Sequence, residues 1–231
     1  MKSNANADSN ANTKEASALN IQYHGGSVML GTINVYPVFY GKWSETQKEI
    51  IRSFIRGIGD TRWFDIMKKY YQITDTIKTF VTGPVVLSTE IDVGYMFGKR
   101  IKGTNIEDGL KDLFNNGKLD KDPNGIYLWF TSEDVSEIDN WGRRFIQEHC
   151  GWHFFFEIGT EKYQYGFVGN PARFPHSGCL SFKGDQAISP NNDPGVDSMI
   201  PYIAHELAET ISNPYSDAWY EPEGYENADR W

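Results

Sequence analysis

Residues 126–132 read IYLWFTS, a short and almost wholly apolar run. A run of this length without polar alternation is typical of a strand that is buried on both faces. We therefore place it at the centre of a sheet. The run at 32–40, TINVYPVFY, is β-branched and aromatic and predicts a second strand, which Pro37 would confine to a sheet edge or a bulge.

The segments around these two strands supply the rest of the fold. Ser44 is placed to cap an amphipathic helix over SETQKEIIRSFIRGIG, and NIEDGLKDLFNN at 105–116 predicts another helix. Strands are expected in ITDTIKTFVTG and PVVLSTEIDV, a polar helix around Ser136–Gln147, and a hairpin from the aromatic runs at 153–159 and 162–169. This order predicts the α+β class, with a mixed β-sheet, flanking helices and one late helix.

Composition and charge exclude several classes of protein. The chain has 231 residues, of which 39% are apolar and 15% aromatic, so it can bury a core. A formal net charge of −9 without a basic stripe makes nucleic acid and anionic membranes poor partners. No apolar segment approaches the ~18–20 residues of a spanning helix. We expect a monomer with a disordered tail at 1–21, which holds no signal peptide, and one domain at 22–231.

The segment from Asp197 to Pro214, DSMIPYIAHELAETISNP, carries the candidate chemistry. Asp197 can cap a helix here, and Asn213 followed by proline ends it. Apolar residues at helical spacing form one core-facing stripe. His205 and Glu209 lie on the other side at i and i+4, with Cβ atoms roughly 5–6 Å apart, so both side chains can converge on one metal ion.

The resulting motif, H-E-x-x-E, differs in its last residue from the H-E-x-x-H of zinc hydrolases. Glu206 takes the position at which those enzymes keep the general base that activates water. Downstream, Glu226 and Asp229 at i and i+3 could supply a third ligand and a carboxylate that holds a ligating imidazole. The alternative is a solvated polar helix face on which Glu209 pairs with protonated His205, followed by an acidic C-terminal end.

The remaining residues with functional chemistry give weaker signals. His153 opens an aromatic strand, where an imidazole more often belongs to the core, and His176 lies in a Pro/Gly-rich loop that could reach a cleft. The sequence has no G-x-S-x-G elbow and no Gly-rich phosphate loop, which excludes serine-hydrolase and nucleotide-binding functions. Cys150 and Cys179 allow one pairing, and the residues alone leave open two free thiols or a disulfide.

Several motifs together resemble the EXORDIUM (phosphate-induced protein) family. They are YHGGSVMLGTINVYPVFYGKWSETQ near the start, HCGWH, YGFVGNP, FPHSGCLSF, and PNNDPGVDSMIPYIAHELAETISNPYSDAWY followed by ENAD. The resemblance covers roughly Tyr23 to Asp229. It implies a secreted, extracellular protein with a disulfide between Cys150 and Cys179. Relatives usually carry a signal peptide and continue past the E-x-x-D segment, so we expect a chain truncated at its C-terminus.

Many plant relatives have Ser where this sequence has His205, so the chain resembles a metal-competent branch similar to bacterial zincin-like relatives that read HELAE. We therefore expect a zincin-like domain in which His205, Glu209 and Glu226 bind Zn²⁺, Asp229 supports a ligand and Glu206 is the general base.

The predicted activity is that of a secreted zinc-dependent peptidase that cleaves extracellular peptides or cell-wall proteins. Two Glu and one His bring Zn²⁺ close to neutrality and weaken its effect on water, so a slow enzyme, or Mn²⁺ or Ca²⁺ instead, stays open. The alternative is a non-catalytic extracellular cell-wall or growth-signalling binding module, in which Glu206 is dispensable.

Overall fold

The computed structural model describes residues 21–184 and 188–229, so the predicted tail lies outside the described residues except for Ile21. In chain order the strands are β1 (Gln22–Tyr23), β2 (Ile33–Tyr40), β3 (Tyr71–Thr74), β4 (Ile77–Phe80), β5 (Val85–Leu87), β6 (Ile91–Gly94), β7 (Arg100–Lys102), β8 (Gly125–Thr131), β9 (Ser136–Ile138), β10 (Gly151–Ile158), β11 (Glu161–Gly169) and β12 (Trp219–Tyr220). The helices are α1 (Glu45–Ile58), α2 (Arg62–Met67), α3 (Gly103–Asn115) and α4 (Pro194–Ser212).

The main sheet has six strands in the order β10-β11-β8-β2-β5, with β6 also paired to β2. β8 is its central strand, as predicted: it pairs in parallel with β2 on one side and β11 on the other, and all of its residues are buried. β10 runs antiparallel to β11 and forms the edge, as expected for the aromatic hairpin. The predicted α+β class with a mixed sheet is therefore confirmed.

Pro37 lies in an internal strand, so the predicted place at a sheet edge is wrong, whereas the alternative of a bulge has a counterpart in the register shift between Phe39 and Tyr40. β2 pairs with β8 along one side, with Pro37 opposite Leu128, and with β5 and then β6 along the other. The Ile33 N–H and the Val35 C=O both bond toward the β5 side, and the two-residue repeat of a strand turns the Pro37 nitrogen the same way. That nitrogen falls in the gap between β5 and β6, where the missing N–H costs no ladder bond.

The polar helix expected around Ser136–Gln147 is also absent from the described chain. Its first residues, Ser136–Ile138, form a strand parallel to β7. The carboxylate of Asp139 then accepts hydrogen bonds from the backbone N–H groups of Trp141 (2.9 Å) and Arg143 (2.8 Å). Aspartate competes in this way for N–H groups that a helix would bond to its own carbonyls, so the segment turns instead of coiling.

ITDTIKTFVTG forms a hairpin rather than the single strand expected. β3 and β4 pair in antiparallel register, and the chain reverses at Asp75 and Thr76, whose φ angles are 48° and 72°. Two central residues with positive φ form the turn whose twist matches a tight hairpin. The Asp-Thr pair lacks the glycine that usually marks such a turn, which is why the sequence did not reveal it.

The main sheet separates two apolar cores. On one face the alternating residues Ile126, Leu128 and Phe130 of β8 pack against α1 and α4, whose stripe of Ile203, Leu207 and Ile211 is buried as predicted. On the other face Tyr127 and Trp129 pack against α3. Each fully buried side chain of this size contributes ~1.5–3 kcal/mol. This packing fixes α4 beneath the sheet and turns its polar side toward the edge strand β10.

Within residues 21–184 and 188–229, no helix combines the length and the apolar character that a bilayer crossing requires.

Candidate metal centre

α4 begins earlier than expected, and Asp197 does not cap it. The cap is Asp193, whose carboxylate accepts a backbone N–H of the first turn at 3.0 Å, and proline occupies the first helical position. The Asp197 carboxylate instead binds the backbone and the side-chain amide of Asn191 at 2.8 and 2.6 Å. The helix ends at Ser212 with Asn213 as its C-terminal cap, as predicted.

The polar side of α4 is buried, because β10 covers it. Glu206 is 3% exposed and Glu209 is 4% exposed, whereas His205 retains a 30% exposed side chain. The alternative of a solvated polar face is therefore wrong for both glutamates. The second part of that alternative, a pair between Glu209 and His205, is present in the structure. Buried carboxylates need compensating partners, and these come from β10 and from the C-terminal segment.

The Glu209 carboxylate lies between two imidazoles. Its Oε1 is 3.0 Å from His205 Nε2, and its Oε2 is 3.5 Å from His153 Nε2. Each imidazole faces one further carboxylate: Asp229 Oδ1 lies 3.7 Å from His205 Nε2, and Glu226 Oε2 lies 3.0 Å from His153 Nε2. Both carboxylates named from the sequence lie in this cluster, Asp229 beside His205 and Glu226 beside His153.

The two downstream carboxylates are held in place by hydrogen bonds. Asn213 donates its side-chain amide to Glu226 Oε1 at 2.6 Å, which joins the end of α4 to the C-terminal segment. Asp229 Oδ2 accepts the backbone N–H of Glu226 at 2.8 Å, so the second carboxylate positions the first. A further bond, from the Ala218 N–H to the Asn213 side chain, fixes the amide that holds Glu226. These contacts order the turn that carries both residues.

Glu206 packs against a glycine of the edge strand. A Cβ atom at Gly151 would lie 2.6 Å from Glu206 Oε1, so only glycine leaves room for this carboxylate. Glu206 Oε2 is buried and has no hydrogen-bond partner among the described residues. An orphaned carboxylate oxygen is costly in a protein interior, and it leaves a proton acceptor available beside the histidines.

These side chains form the floor of a cleft of about 390 Å³. Its lining includes Trp141, Arg143, Glu148, His149, Cys150, Gly151, Trp152, His153, Tyr202, His205, Glu206, Glu209, Glu226 and Asp229. The disulfide implied by the resemblance is confirmed, since Cys150 and Cys179 are bonded with their Cα atoms 5.4 Å apart. It anchors the loop before α4 to the start of β10. His176 in that loop is exposed and does not line the described cleft.

The ionisable groups of the cluster lie close enough to shift one another's pKa values. Burial opposes the charge of His205, but the hydrogen bond to Glu209 and the charge of Glu206 outweigh it and raise the pKa of His205 to about 9. Burial together with the charge of Glu209 raises the pKa of Glu206. Burial also disfavours the charged form of Glu209, but the two imidazoles outweigh it and lower the pKa of that carboxyl. The cluster therefore retains protons that a cation could replace.

The donor set fits a divalent transition metal. The described residues contain two groups of three possible ligands, and within each group the ligand atoms lie within 4.8 Å of one another. One group is His153, Glu209 and Glu226, and the other is His205, Glu209 and Asp229. Imidazole nitrogen combined with carboxylate oxygen suits Zn²⁺ and, with more oxygen, Mn²⁺. Each group has one imidazole and two carboxylates, the same ratio of nitrogen to oxygen donors that the sequence suggested.

His153 is the site residue that sequence reasoning missed. It lies 52 residues or more from its partners in α4, so no local spacing connects them. The available signal was its place in β10 two residues after Gly151, because residues i and i+2 of a strand share a face. His149 lies 2.8 Å from the buried Glu137 carboxylate.

Comparison with known proteins finds similarity over nearly the whole described chain. The family model of the phosphate-induced protein 1 conserved region matches residues 21–229. The chain is 34% identical over 222 residues to Protein EXORDIUM-like 3 of Arabidopsis thaliana, which covers 87% of this chain and 64% of that protein. It is 30% identical over 225 residues to Protein EXORDIUM-like 5 of the same plant, covering 87% and 60%.

A third relative, Protein PHOSPHATE-INDUCED 1 of Nicotiana tabacum, is 28% identical over 227 residues, which cover 88% of this chain and 68% of that protein. The chain thus spans less than two thirds of the length of the two Arabidopsis relatives named above. No solved structure matches it.

Proposed function

The chain belongs to the phosphate-induced protein 1 family, and from that premise we propose that it is an extracellular, metal-dependent peptidase with a zincin-like arrangement. The observation that carries the proposal is the position of Glu206, a buried carboxylate with a free oxygen, beside imidazoles and carboxylates that share one cleft. The Cys150–Cys179 disulfide supports the location, because such bonds persist in oxidising compartments.

His205 and Glu209 are the proposed ligands on α4. Asp229 faces the same imidazole and is favoured over Glu226 as the third group, since Glu226 faces His153 instead. A divalent ion bound here would supply a Lewis acid for a polarised carbonyl and for water. Zn²⁺ suits this set best, and Mn²⁺ is the alternative.

Glu206 is the proposed general base. Its carboxylate lines the same cleft as the proposed ligands and interacts electrostatically with Glu209, His205 and His153. Oε1 is fixed against Gly151, while Oε2 is free to accept a proton from water and pass it to a leaving amine. Burial in the cleft keeps bulk water from competing for this oxygen.

The edge strand β10 favours a peptide as the substrate. β10 pairs with β11 on one side, and in an antiparallel edge strand half of the backbone N–H and C=O groups point away from the partner. An extended peptide can add to such an edge through main-chain hydrogen bonds. Because His153 and Gly151 belong to the same strand, a peptide bound there would pass the floor of the cleft.

The test is cleavage of a peptide library by zinc-loaded protein and its Glu206→Gln variant. Glutamine keeps the size of the side chain but does not accept a proton as a base, so metal content should stay and turnover should fall by at least ~10²-fold. Glu133→Gln is the matched control, because Glu133 is exposed and does not line the described cleft. It should cleave as the wild type does.

Equal turnover by Glu206→Gln and the wild type would show that Glu206 is not the general base. Zinc binding without any cleavage would favour the second candidate, a non-catalytic extracellular binding module. The exposed ring of Trp141 at the cleft, 57% accessible and 5.4 Å from the ring of Phe154, gives that candidate an aromatic surface for a cell-wall component.

A further inference from the structure

We propose that this centre binds two divalent ions and that the Glu209 carboxylate bridges them. The first ion would use Glu209 Oε1 with His205 and Asp229, and the second Glu209 Oε2 with His153 and Glu226. The proposal rests on the proposed function, because it takes the same cluster to be a metal centre. It adds a second site that neither the H-E-x-x-E motif nor the family resemblance indicates.

The two oxygens of the Glu209 carboxylate are divided between the two groups. Each oxygen faces a different imidazole, at 3.0 Å for His205 and 3.5 Å for His153. Each imidazole in turn has its own additional carboxylate, and in both groups the three ligand atoms lie within 4.8 Å of one another. A carboxylate with one oxygen in each group is the arrangement that bridges two ions ~3.5–4 Å apart.

The His153 group is a buried site supported by hydrogen bonds, not a surface acidic cluster. The side chains of His153 and Glu209 are 7% and 5% exposed, and that of Glu226 is 17% exposed. Asn213 holds the other Glu226 oxygen, which leaves Oε2 directed at His153. Three parts of the chain, β10, α4 and the C-terminal segment, therefore converge on this group.

The charge of the cluster also favours a second ion. Once metal has replaced the protons that the cluster retains, both imidazoles are neutral, and the carboxylates of Glu206, Glu209, Glu226 and Asp229 carry four negative charges on one cleft floor. One divalent ion would leave two of these uncompensated, and two ions would balance all four. Arg143 also lines the cleft, but its Nε donates to Asp139 at 2.6 Å. Because buried charge is costly unless it is paired, the second ion completes the balance.

The test is native mass spectrometry of the full chain titrated with zinc alone, with metal content measured after dialysis. The wild type should gain two zinc ions. His153→Ala and Glu226→Gln should each retain one, and His205→Ala should also retain one. His176→Ala is the matched control, because His176 is exposed outside the cleft, and it should retain two.

Circular dichroism of each variant shows whether it folds, and His153→Gln replaces His153→Ala if the alanine variant does not. A second measurement uses Mn²⁺, for which electron paramagnetic resonance of the doubly loaded protein should show exchange coupling through the bridge. Two uncoupled Mn²⁺ signals would overturn the bridge.

A wild type that saturates at one zinc, lost in His205→Ala and retained in His153→Ala, would overturn the two-ion centre and leave the proposed function standing. No zinc retained by the wild type would contradict both proposals.

Discussion

Replacing Gly151 with alanine should displace the Glu206 carboxylate and destabilise the protein. The new Cβ would lie 2.6 Å from Glu206 Oε1 and 2.9 Å from the backbone oxygen of Phe167. Neither neighbour can yield easily, because Glu206 is 3% exposed and Phe167 belongs to β11 inside the sheet. Overpacking of this kind costs ~1–3 kcal/mol in the free energy of unfolding.

Urea unfolding of metal-free protein, followed by tryptophan fluorescence, measures this cost. Gly57→Ala is the matched control: Gly57 lies in α1, and a Cβ there has no neighbour within 4 Å among the described residues. That substitution should stabilise the protein by up to ~1 kcal/mol, because alanine is the better helix former. The two Gly→Ala changes should therefore have opposite signs.

A double-mutant cycle then isolates the contact with Glu206. In a Glu206→Ala background one of the two clashes disappears, so Gly151→Ala should cost ~1 kcal/mol less than in the wild type. In a Glu206→Gln background the side chain keeps its size, and the cost should stay unchanged. An equal cost in all three backgrounds would refute the placement of Glu206 against β10.

Replacing both Cys150 and Cys179 with alanine should lower the free energy of unfolding by ~3–4 kcal/mol, because the bond closes a loop with a sequence separation of 29; urea unfolding with and without reductant measures it, and an unchanged midpoint would contradict it. The stability of metal-free protein should fall as pH rises from about 5 to about 9. The pKa values of Glu206 and His205 are higher in the folded state than in the unfolded state, that of His205 at about 9. The stability that these groups contribute is therefore complete below their unfolded-state pKa and is lost as pH rises through their folded-state pKa. Each extra proton bound by the folded state contributes a slope of up to ~1.4 kcal/mol per pH unit, and stability that rises over this range would refute the assignment. Zinc affinity measured by calorimetry should increase with pH over the same range, since the ion displaces these protons, and a flat profile would speak against ligation by His205.

Local patterns in the sequence predicted the helices and strands that are determined by residues close together in the chain. The apolar run of β8 identified the central strand. Ser44 caps α1: its hydroxyl accepts the Gln47 N–H, and its own N–H donates to Gln47 Oε1. Hydrophobic spacing placed the buried stripe of α4. In each case the physical cause, burial or a capping bond, acts within a few residues.

Features that depend on distant partners were missed. The position of Pro37 in an internal strand is possible because β5 and β6 leave a gap, which no pattern around the proline reveals. The burial of Glu209 follows from β10 covering α4, and the helical pattern alone gave an exposed polar face. His153 joins the cluster only through the packing of a strand on a helix, so its neighbours in sequence do not show its role.

The most direct test of the metal centre is an anomalous difference map, recorded at the zinc absorption edge, from crystals grown with zinc. The account predicts a peak ~2.0–2.2 Å from His205 Nε2 and from a Glu209 oxygen, in the cleft beside Glu206. A map with no peak within bonding distance of either residue, in crystals whose zinc lies elsewhere, would contradict it.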